Sequence, residues 1–221
     1  MTSGLWMWVS GYDTINQKGI YGTRGVPAAG NVPGARLYSV SWTDAADNLW
    51  LFGGSGYDVA GSSGDLNDLW IFNMTSGLWM WVSGSNLRIQ LGIYGTKGVP
   101  NAGNVPGSRF FSVSWTDSDD NLWLFGGYGR DSAGGGISYL NDLWMFNITS
   151  RWWTWVSGND TEDQTGIYGT KGVPNAGNVP GSRQKSISWM DADGNLWLFG
   201  GSGNDSTGTF GRLNDLWKYG W

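Results

Sequence analysis

The stretch NLWLFGG at residues 48–54 decides the fold, together with LNDLWIF at 66–72 and LWMWV at 78–82. Each run alternates large apolar residues in the way that is typical of a β-strand, and turn-forming residues separate the runs. In the first run Trp50 and Phe52 point to one face, while Leu49 and Leu51 point to the other. An antiparallel sheet normally has one polar face. Two apolar faces therefore predict a small sheet held between two neighbouring sheets, as in a propeller blade.

The same unit occurs three times along the chain. The string WVSG begins at Trp8, Trp81 and Trp155, at spacings of 73 and 74 residues, and the other motifs keep the same order. We interpret residues 1–221 as a single half-propeller with a separate outer strand at 5–10 and three blades at 36–83, 109–157 and 183–219.

Four strands, named A to D, are predicted in each unit. In the first unit they cover residues 36–42, 48–52, 66–72 and 78–82. The A–B and C–D links are short and predict hairpins, whereas the B–C link (53–65) and the D–A link (11–35) are long. Strand polarity places both long links at one end of the blade. The pair Gly53 and Gly54 is predicted to close strand B.

Composition agrees with an all-β chain. The sequence has 38 Gly and 17 Trp but a single Glu, whereas helices favour Ala, Leu, Glu and Lys. It has no Cys and no His, which excludes disulfides, thiol nucleophiles, His-containing catalytic triads and His-based metal centres. The net charge is −5 with 13 scattered basic residues, so we expect no nucleic-acid partner and no membrane partner.

No apolar run is long enough to span a membrane, and the first residues lack the pattern of a signal peptide. We therefore expect a soluble chain. The sequence leaves the compartment open, with a secreted or cell-surface parent protein as one option.

The glycine pair that follows the 48–54 run, and the spaced aromatic residues of the next two strands, resemble the kelch motif. The resemblance covers all three units and extends to galactose-oxidase-type propellers, although the units are longer than the usual ~50 residues. It implies a kelch-like β-propeller with a binding or scaffold role. The copper-ligating histidines and Tyr-Cys cofactor of galactose oxidase have no counterpart in a chain without His or Cys.

Three blades are too few for a closed ring, because propellers have ~4–8 blades, and an open arc exposes two wide apolar faces. Met1 and Trp221 fall at the repeat phase of Met74, so the chain starts with a D strand and ends without one. We expect two copies to exchange this strand and form a six-bladed homodimer. The alternative is an excised or engineered half-propeller without a ligand. The dimer-closing strand comprises Leu5, Trp6, Met7, Trp8 and Val9.

Positions that differ between the units lie in the long links, and these are the candidate ligand-binding residues. A protein or a glycan is the expected ligand, and solvated tips without a ligand are the alternative. The candidates are Tyr12, Asp13, Tyr57, Asp58, Arg88, Arg130, Asp131, Tyr139, Glu162, Asn204 and Asp205. Tyr128 and Phe210 lie near the same links. The repeated half of the D–A link, with Ile20, Tyr21 and Val26, is predicted to pack on the blade rim or on a neighbour.

Two repeated motifs have both a structural and a ligand-binding interpretation. The glycine pairs continue into GGxGxD strings that match a calcium-binding repeat, but the copies are too far apart to share an ion between stacked turns. We therefore expect no metal and a loop Asp that accepts backbone N–H groups. Each blade also carries an Arg at the start of its innermost strand. Arg36, Arg109 and Arg183 form either a channel-mouth anion site or, as we favour, ion pairs with Asp68, Asp142 and Asp215.

No catalytic residue and no cofactor is predicted. A glycosidase needs two carboxyl groups ~5–10 Å apart across a cleft, and Glu162 and Asp163 are adjacent in a loop. We expect a non-catalytic, self-assembling binding or scaffold module. A sugar-processing enzyme of the sialic-acid type, implied by the resemblance to kelch-like propellers, is the alternative function.

Overall fold

A computed structural model describes residues 4–220, and these residues form an all-β fold of three antiparallel sheets without a helix. Met1 and Trp221, which mark the predicted repeat boundary, lie outside the described residues. The first sheet contains β1 (Arg36–Leu37), β2 (Val40–Thr43), β3 (Leu49–Tyr57), β4 (Ser63–Asn73) and β5 (Leu78–Ser83). The second contains β6 (Arg109–Phe110), β7 (Val113–Thr116), β8 (Leu122–Gly129), β9 (Ser138–Asn147) and β10 (Trp152–Ser157). The third contains β11 (Arg183–Gln184), β12 (Ile187–Met190), β13 (Leu196–Asn204) and β14 (Phe210–Tyr219).

The predicted strand A is two strands rather than one. In the first sheet β1 and β2 both pair with β3, and Tyr38 between them has a positive φ of 61°. Phe111 and Lys185 occupy the same place in the other sheets, with φ of 59° and 56°. A residue with left-handed backbone conformation interrupts a strand. This conformation is usually signalled by glycine, and none of these three residues is glycine, so the sequence did not reveal the break.

The glycine pair was predicted to close strand B. In the structure it forms a bulge within the strand instead. The register of β3 against β4 shifts between Phe52 and Gly54, and the strand continues to Tyr57. Gly53 and Gly54 have φ of 62° and 96°, and a Cβ on Gly53 would lie 2.8 Å from the carbonyl oxygen of Arg109 in the next sheet. Glycine is therefore required here both for backbone conformation and for close approach between sheets.

The three sheets stack through apolar side chains, which is the arrangement predicted from their two apolar faces. One core joins Trp42, Phe52 and Leu69 of the first sheet to residues of the second that include Leu122 and Leu124. A second core joins the second sheet to the third. The Trp42 Nε1 group donates a hydrogen bond to the backbone oxygen of Trp123, and Trp115 Nε1 makes the equivalent bond to the backbone oxygen of Trp197 in the third sheet.

The D–A link runs along the outer strand of its sheet. Gly25 N donates to Trp81 O, and Ala28 N donates to Trp79 O, so the link covers the free edge of β5. Tyr21 is 2% exposed and packs on Trp70 and Trp81. Ile20 and Val26 were also expected to pack, but they are 37% and 49% exposed.

The predicted strand at 5–9 is not paired in the described chain. Leu5, Trp6, Met7, Trp8 and Val9 are between 62% and 102% exposed, and residues 4–35 contain no β-strand. In the same structure no described strand pairs with the outer edge of β14, so the third sheet lacks the position that β5 and β10 fill in the other two. No helix among residues 4–220 has the length and apolar character needed to span a bilayer.

Candidate binding surface

The repeated Arg and Asp form buried ion pairs in all three sheets. In the second sheet both terminal nitrogens of Arg109 lie 2.7 Å from the Asp142 carboxylate oxygens, and both side chains are fully buried. Tyr94 Oη and Trp144 Nε1 also donate to Asp142 Oδ2 at 2.7 Å. The cluster thereby joins side chains from three separate parts of the sequence, and the other sheets repeat the arrangement with Arg36–Asp68 and Arg183–Asp215.

This cluster shifts the pKa of its members in consistent directions. Burial, followed by the neighbouring carboxylate, raises the pKa of Tyr21 and Tyr94, which therefore stay protonated and donate. Burial acts to raise the pKa of Asp68, but the charge and hydrogen bonds of Arg36 outweigh it and the pKa is lowered. Asp68 is therefore held as the carboxylate that the cluster requires.

The three arginines do not form an open anion site. Arg109 and Arg183 are 1% exposed, and the Arg36 side chain is 7% exposed. Each guanidinium also donates to backbone oxygens, as Arg109 does to Gly107 and Gly126. The channel-mouth interpretation is thus wrong for these side chains, because their donors already have partners inside the sheet.

The aspartates of the B–C loops hold their own turns. Asp58 Oδ1 accepts the backbone N–H groups of Ala60 and Ser62, and its Oδ2 accepts that of Arg88. Asp131 and Asp205 make similar turn bonds. Within residues 4–220 no group of three acidic side chains could hold a metal ion.

Most candidate ligand-binding residues lie at one end of the sheets, on the side of the long links, which we call the loop face. Asp58 and Arg88 line a shallow depression there with Gln90. Tyr57 and Arg130 are partly buried, and Asn204 is buried at the end of β13. Tyr12 and Asp13 are exposed on the N-terminal segment.

Glu162 lies among other charges on the loop face of the second repeat. Burial, followed by the charges of Asp131 and Asp163, raises the pKa of its carboxyl group. The Glu162 backbone N–H donates to Asp131 Oδ2, while Asp163 Oδ1 accepts from Ser138 Oγ. The carboxylates of Asp131 and Asp163 therefore hold the loops in place through these hydrogen bonds.

An unbroken row of aromatic rings crosses the loop face. Neighbouring ring centroids are separated by 4.2, 4.9, 5.6, 5.1 and 4.6 Å. We call it the aromatic row, and it consists of Tyr38, Phe111, Phe110, Tyr128, Tyr139 and Phe210 in this order. The sequence pattern pointed to Tyr128, Tyr139 and Phe210 but not to the other three. The available signal was the pair Phe110–Phe111, which stands where the other repeats have Leu37–Tyr38 and Gln184–Lys185.

No protein-family model matches this chain, and no curated protein matches it. Among solved structures the chain is similar to one titled "Structure of YjhT", with a TM-score of 0.51 and 14% sequence identity. The similarity covers 84% of this chain and 54% of that one, so the chain spans about half the length of the structure it matches. At this identity the similarity is one of fold.

Proposed function

We propose that the 221-residue chain is half of a six-bladed, kelch-like propeller that a second copy completes by strand exchange. The ring is a non-catalytic binding or scaffold module that presents its loop face to a ligand. The observation that carries the assembly is the open outer edge of β14, together with an exposed segment at residues 5–10 whose sequence pattern matches β5.

The exposed segment already has part of the local geometry of the strands it resembles. Trp8 Nε1 donates to Ser10 O at 2.9 Å, as Trp81 does to Ser83 O at 2.8 Å in β5. Trp155 repeats this bond in β10. A segment with the side-chain geometry of an outer strand therefore needs only an edge to pair with, and an unpaired sheet edge is what the third sheet provides.

The D–A link of the third repeat, beside the open edge of β14, carries the residues that contact an outer strand in the second repeat. In the second repeat Gly98 N and Asn104 Nδ2 donate to backbone oxygens of β10, and Lys97 Nζ lies 4.3 Å from the Trp155 ring centroid. The third repeat has Gly172, Asn178 and Lys171 in these places. We infer that they bind Trp6 and Trp8 of a second copy in the same way.

Residues 12–16 extend the match beyond the strand. Ile89 and Asp163 have φ of 63° and 59° and donate their backbone N–H groups to Asp65 O and Tyr139 O of the preceding sheet. Asn16 has φ of 59° and stands at the same repeat position. We infer that Asn16 bonds to Arg212 O of a second copy, which places Tyr12 and Asp13 at the loop face of that copy.

The two end sheets have apolar faces that the middle sheet does not expose. Leu49 is 44% exposed while its counterpart Leu122 is fully buried, and Leu216 is 58% exposed while its counterpart Leu143 is 5% exposed. Trp189 of the third sheet is 51% exposed, while its counterpart Trp115 in the middle sheet is 7% exposed. Burying these faces against a second copy releases apolar surface from water and closes a ring of six blades, within the ~4–8 that propellers have.

The 54% coverage of the matched structure supports this arrangement, because a chain that supplies three of six blades aligns with about half of a complete ring. The binding role is supported by the loop face, where the repeats differ from one another, and by the aromatic row that crosses it.

Light scattering coupled to size exclusion tests the assembly at micromolar concentration. We expect a single folded species of twice the 24.1 kDa chain mass. A folded, monodisperse 24.1 kDa particle would contradict the proposal.

A further inference from the structure

Several departures of the second repeat from the other two collect at one corner of the loop face. The second B–C loop contains one additional residue and three consecutive glycines at 134–136. The aromatic row runs through the same repeat, with Phe110, Tyr128 and Tyr139 paired side by side across β6, β8 and β9. Phe210 of the third sheet extends the row from Tyr139 at 4.6 Å.

The row is not a requirement of the fold. The positions equivalent to Phe110, Tyr128 and Tyr139 form the same ladder in the other two sheets. These ladders are Leu37, Ser55 and Asp65 in the first sheet and Gln184, Ser202 and Arg212 in the third. Since small, polar and charged residues support the same pairing, the aromatic side chains of the second repeat have another use.

The row is accessible. Tyr38 and Phe210 at its two ends are 55% and 50% exposed, and the four rings between them are partly exposed. Exposed large aromatic groups in contact with one another form an apolar surface that is costly in water unless a ligand covers it. The phenol oxygens of three tyrosines lie along the same surface and supply polar contacts.

Two polar atoms beside the row lack a partner within the described part of the chain. They are Arg130 Nε, a donor, and Glu162 Oε2, an acceptor, and both atoms are buried. Glu162 precedes Asp163, whose carboxylate accepts the Tyr139 backbone N–H at 3.3 Å. A buried polar atom without a partner lowers stability, so these two atoms indicate that this corner is not optimised for stability alone.

We propose that the aromatic row binds a carbohydrate chain of neutral sugars, which deepens the binding role proposed above. The apolar faces of successive pyranose rings pack on the aromatic rings. A sugar hydroxyl donates and accepts at the same time, so it matches both the tyrosine hydroxyls of the row and the carboxylates near it, whereas polyproline brings only acceptors. The carboxylates of Asp131, Glu162 and Asp163 disfavour an acidic sugar.

Nuclear magnetic resonance titration of the full chain tests the inference. The probes are cellohexaose, chitohexaose, mannohexaose and laminarihexaose at millimolar concentration, with decaproline as the competing class. We expect saturable shifts of Tyr128, Tyr139 and Phe210 with at least one oligosaccharide and none with decaproline. Phe210→Ala and Tyr139→Ala are expected to weaken that binding tenfold or more.

Trp152→Ala is the matched control, since Trp152 is an exposed aromatic residue (43%) on the outer strand of the same repeat, and it should leave binding unchanged. Three results would overturn the inference: no chemical-shift changes with any of the four oligosaccharides, binding that survives Phe210→Ala and Tyr139→Ala, or a preference for decaproline. The row lies within one copy, so light scattering on the same samples separates this result from the assembly. A monomer that binds sugar contradicts only the ring.

Discussion

The second and third sheets have the same sequence pattern but different surroundings. Both hold an Arg–Asp–Tyr–Trp cluster with bonds of 2.6–2.7 Å between side chains. Asp142 is fully buried, while the side chain of Asp215 remains 15% exposed. The difference indicates that each sheet builds its cluster from the residues of its own repeat, whereas the exclusion of water from the cluster depends on an outer strand and a neighbouring sheet. Completing the third sheet should therefore remove the difference, and the following predictions test that.

The largest effect is expected from Trp6→Ala combined with Trp8→Ala. In the proposed dimer both indole rings are buried against the third sheet of the other copy, and loss of a buried Trp typically costs about 3–5 kcal/mol. We expect the variant to sediment as a monomer and to unfold at lower urea concentration than the parent. Trp152→Ala, on the already complete second sheet, should keep the parent mass. An unchanged mass for the double variant would show that these tryptophans do not close the third sheet.

The next effect compares Asp142→Asn with Asp215→Asn. Each change leaves a buried guanidinium without its counter-charge, which typically costs about 3–5 kcal/mol. In a closed ring both sites are dry, so the two losses of unfolding free energy in urea should agree within error. A clearly smaller loss at Asp215 would indicate that the third sheet keeps its open edge in solution.

Acid should destabilise the chain through the same clusters. Burial acts to raise the pKa of Asp215, but hydrogen bonds from Arg183, Trp217 and Tyr168 outweigh it and lower the pKa to about 2. A folded-state pKa below the unfolded value of ~3.9 gives stability that is present above pH 4 and is lost as the pH falls towards 2. Thermal unfolding across pH 2–6 measures this slope. Asp215→Asn should flatten it, and an equally steep slope in that variant would assign the acid transition to other groups.

The smallest effect is expected for Tyr168→Phe, which removes one hydrogen bond to Asp215 at 2.7 Å. A hydrogen bond to a charged group contributes about 1.5–3 kcal/mol, and Tyr94→Phe in the second sheet is the matched variant. Burial, followed by the bond to Asp215, raises the pKa of Tyr168 to about 12. We expect equal losses from the two variants when the ring is closed. If Tyr94→Phe lowers the free energy of unfolding and Tyr168→Phe does not, water reaches the cluster of the third sheet and the ring is open.

The sequence predicted the elements that depend on local pattern. Alternation located the strands of all three sheets, and one opposite charge per repeat led to the Arg–Asp pairs. The loop aspartates followed from their turn context, as the bonds from Ala60 and Ser62 to Asp58 illustrate.

Features that depend on three-dimensional neighbours were not predictable from the sequence. The break at Tyr38 requires a positive φ, which a tyrosine in the sequence does not predict. The need for glycine at the Gly53 bulge depends on close contact with Arg109 of another sheet. The link between Tyr94 and Asp142 spans 48 residues. The aromatic row joins rings from three sheets, and its members become neighbours only after the sheets stack.

Disulfide trapping between copies tests strand exchange most directly, because the chain has no native cysteine. Ile71 pairs with Met80 in the first sheet, and by repeat position Lys218 pairs with Met7 of a second copy. Paired residues in an antiparallel ladder have Cα atoms ~4.5–5.5 Å apart, within the range that a disulfide needs. We predict that Met7→Cys and Lys218→Cys chains, refolded together and oxidised, form a covalent heterodimer. The doubly substituted chain should form a covalent homodimer. A doubly substituted chain that closes its disulfide within a single copy would contradict the exchange.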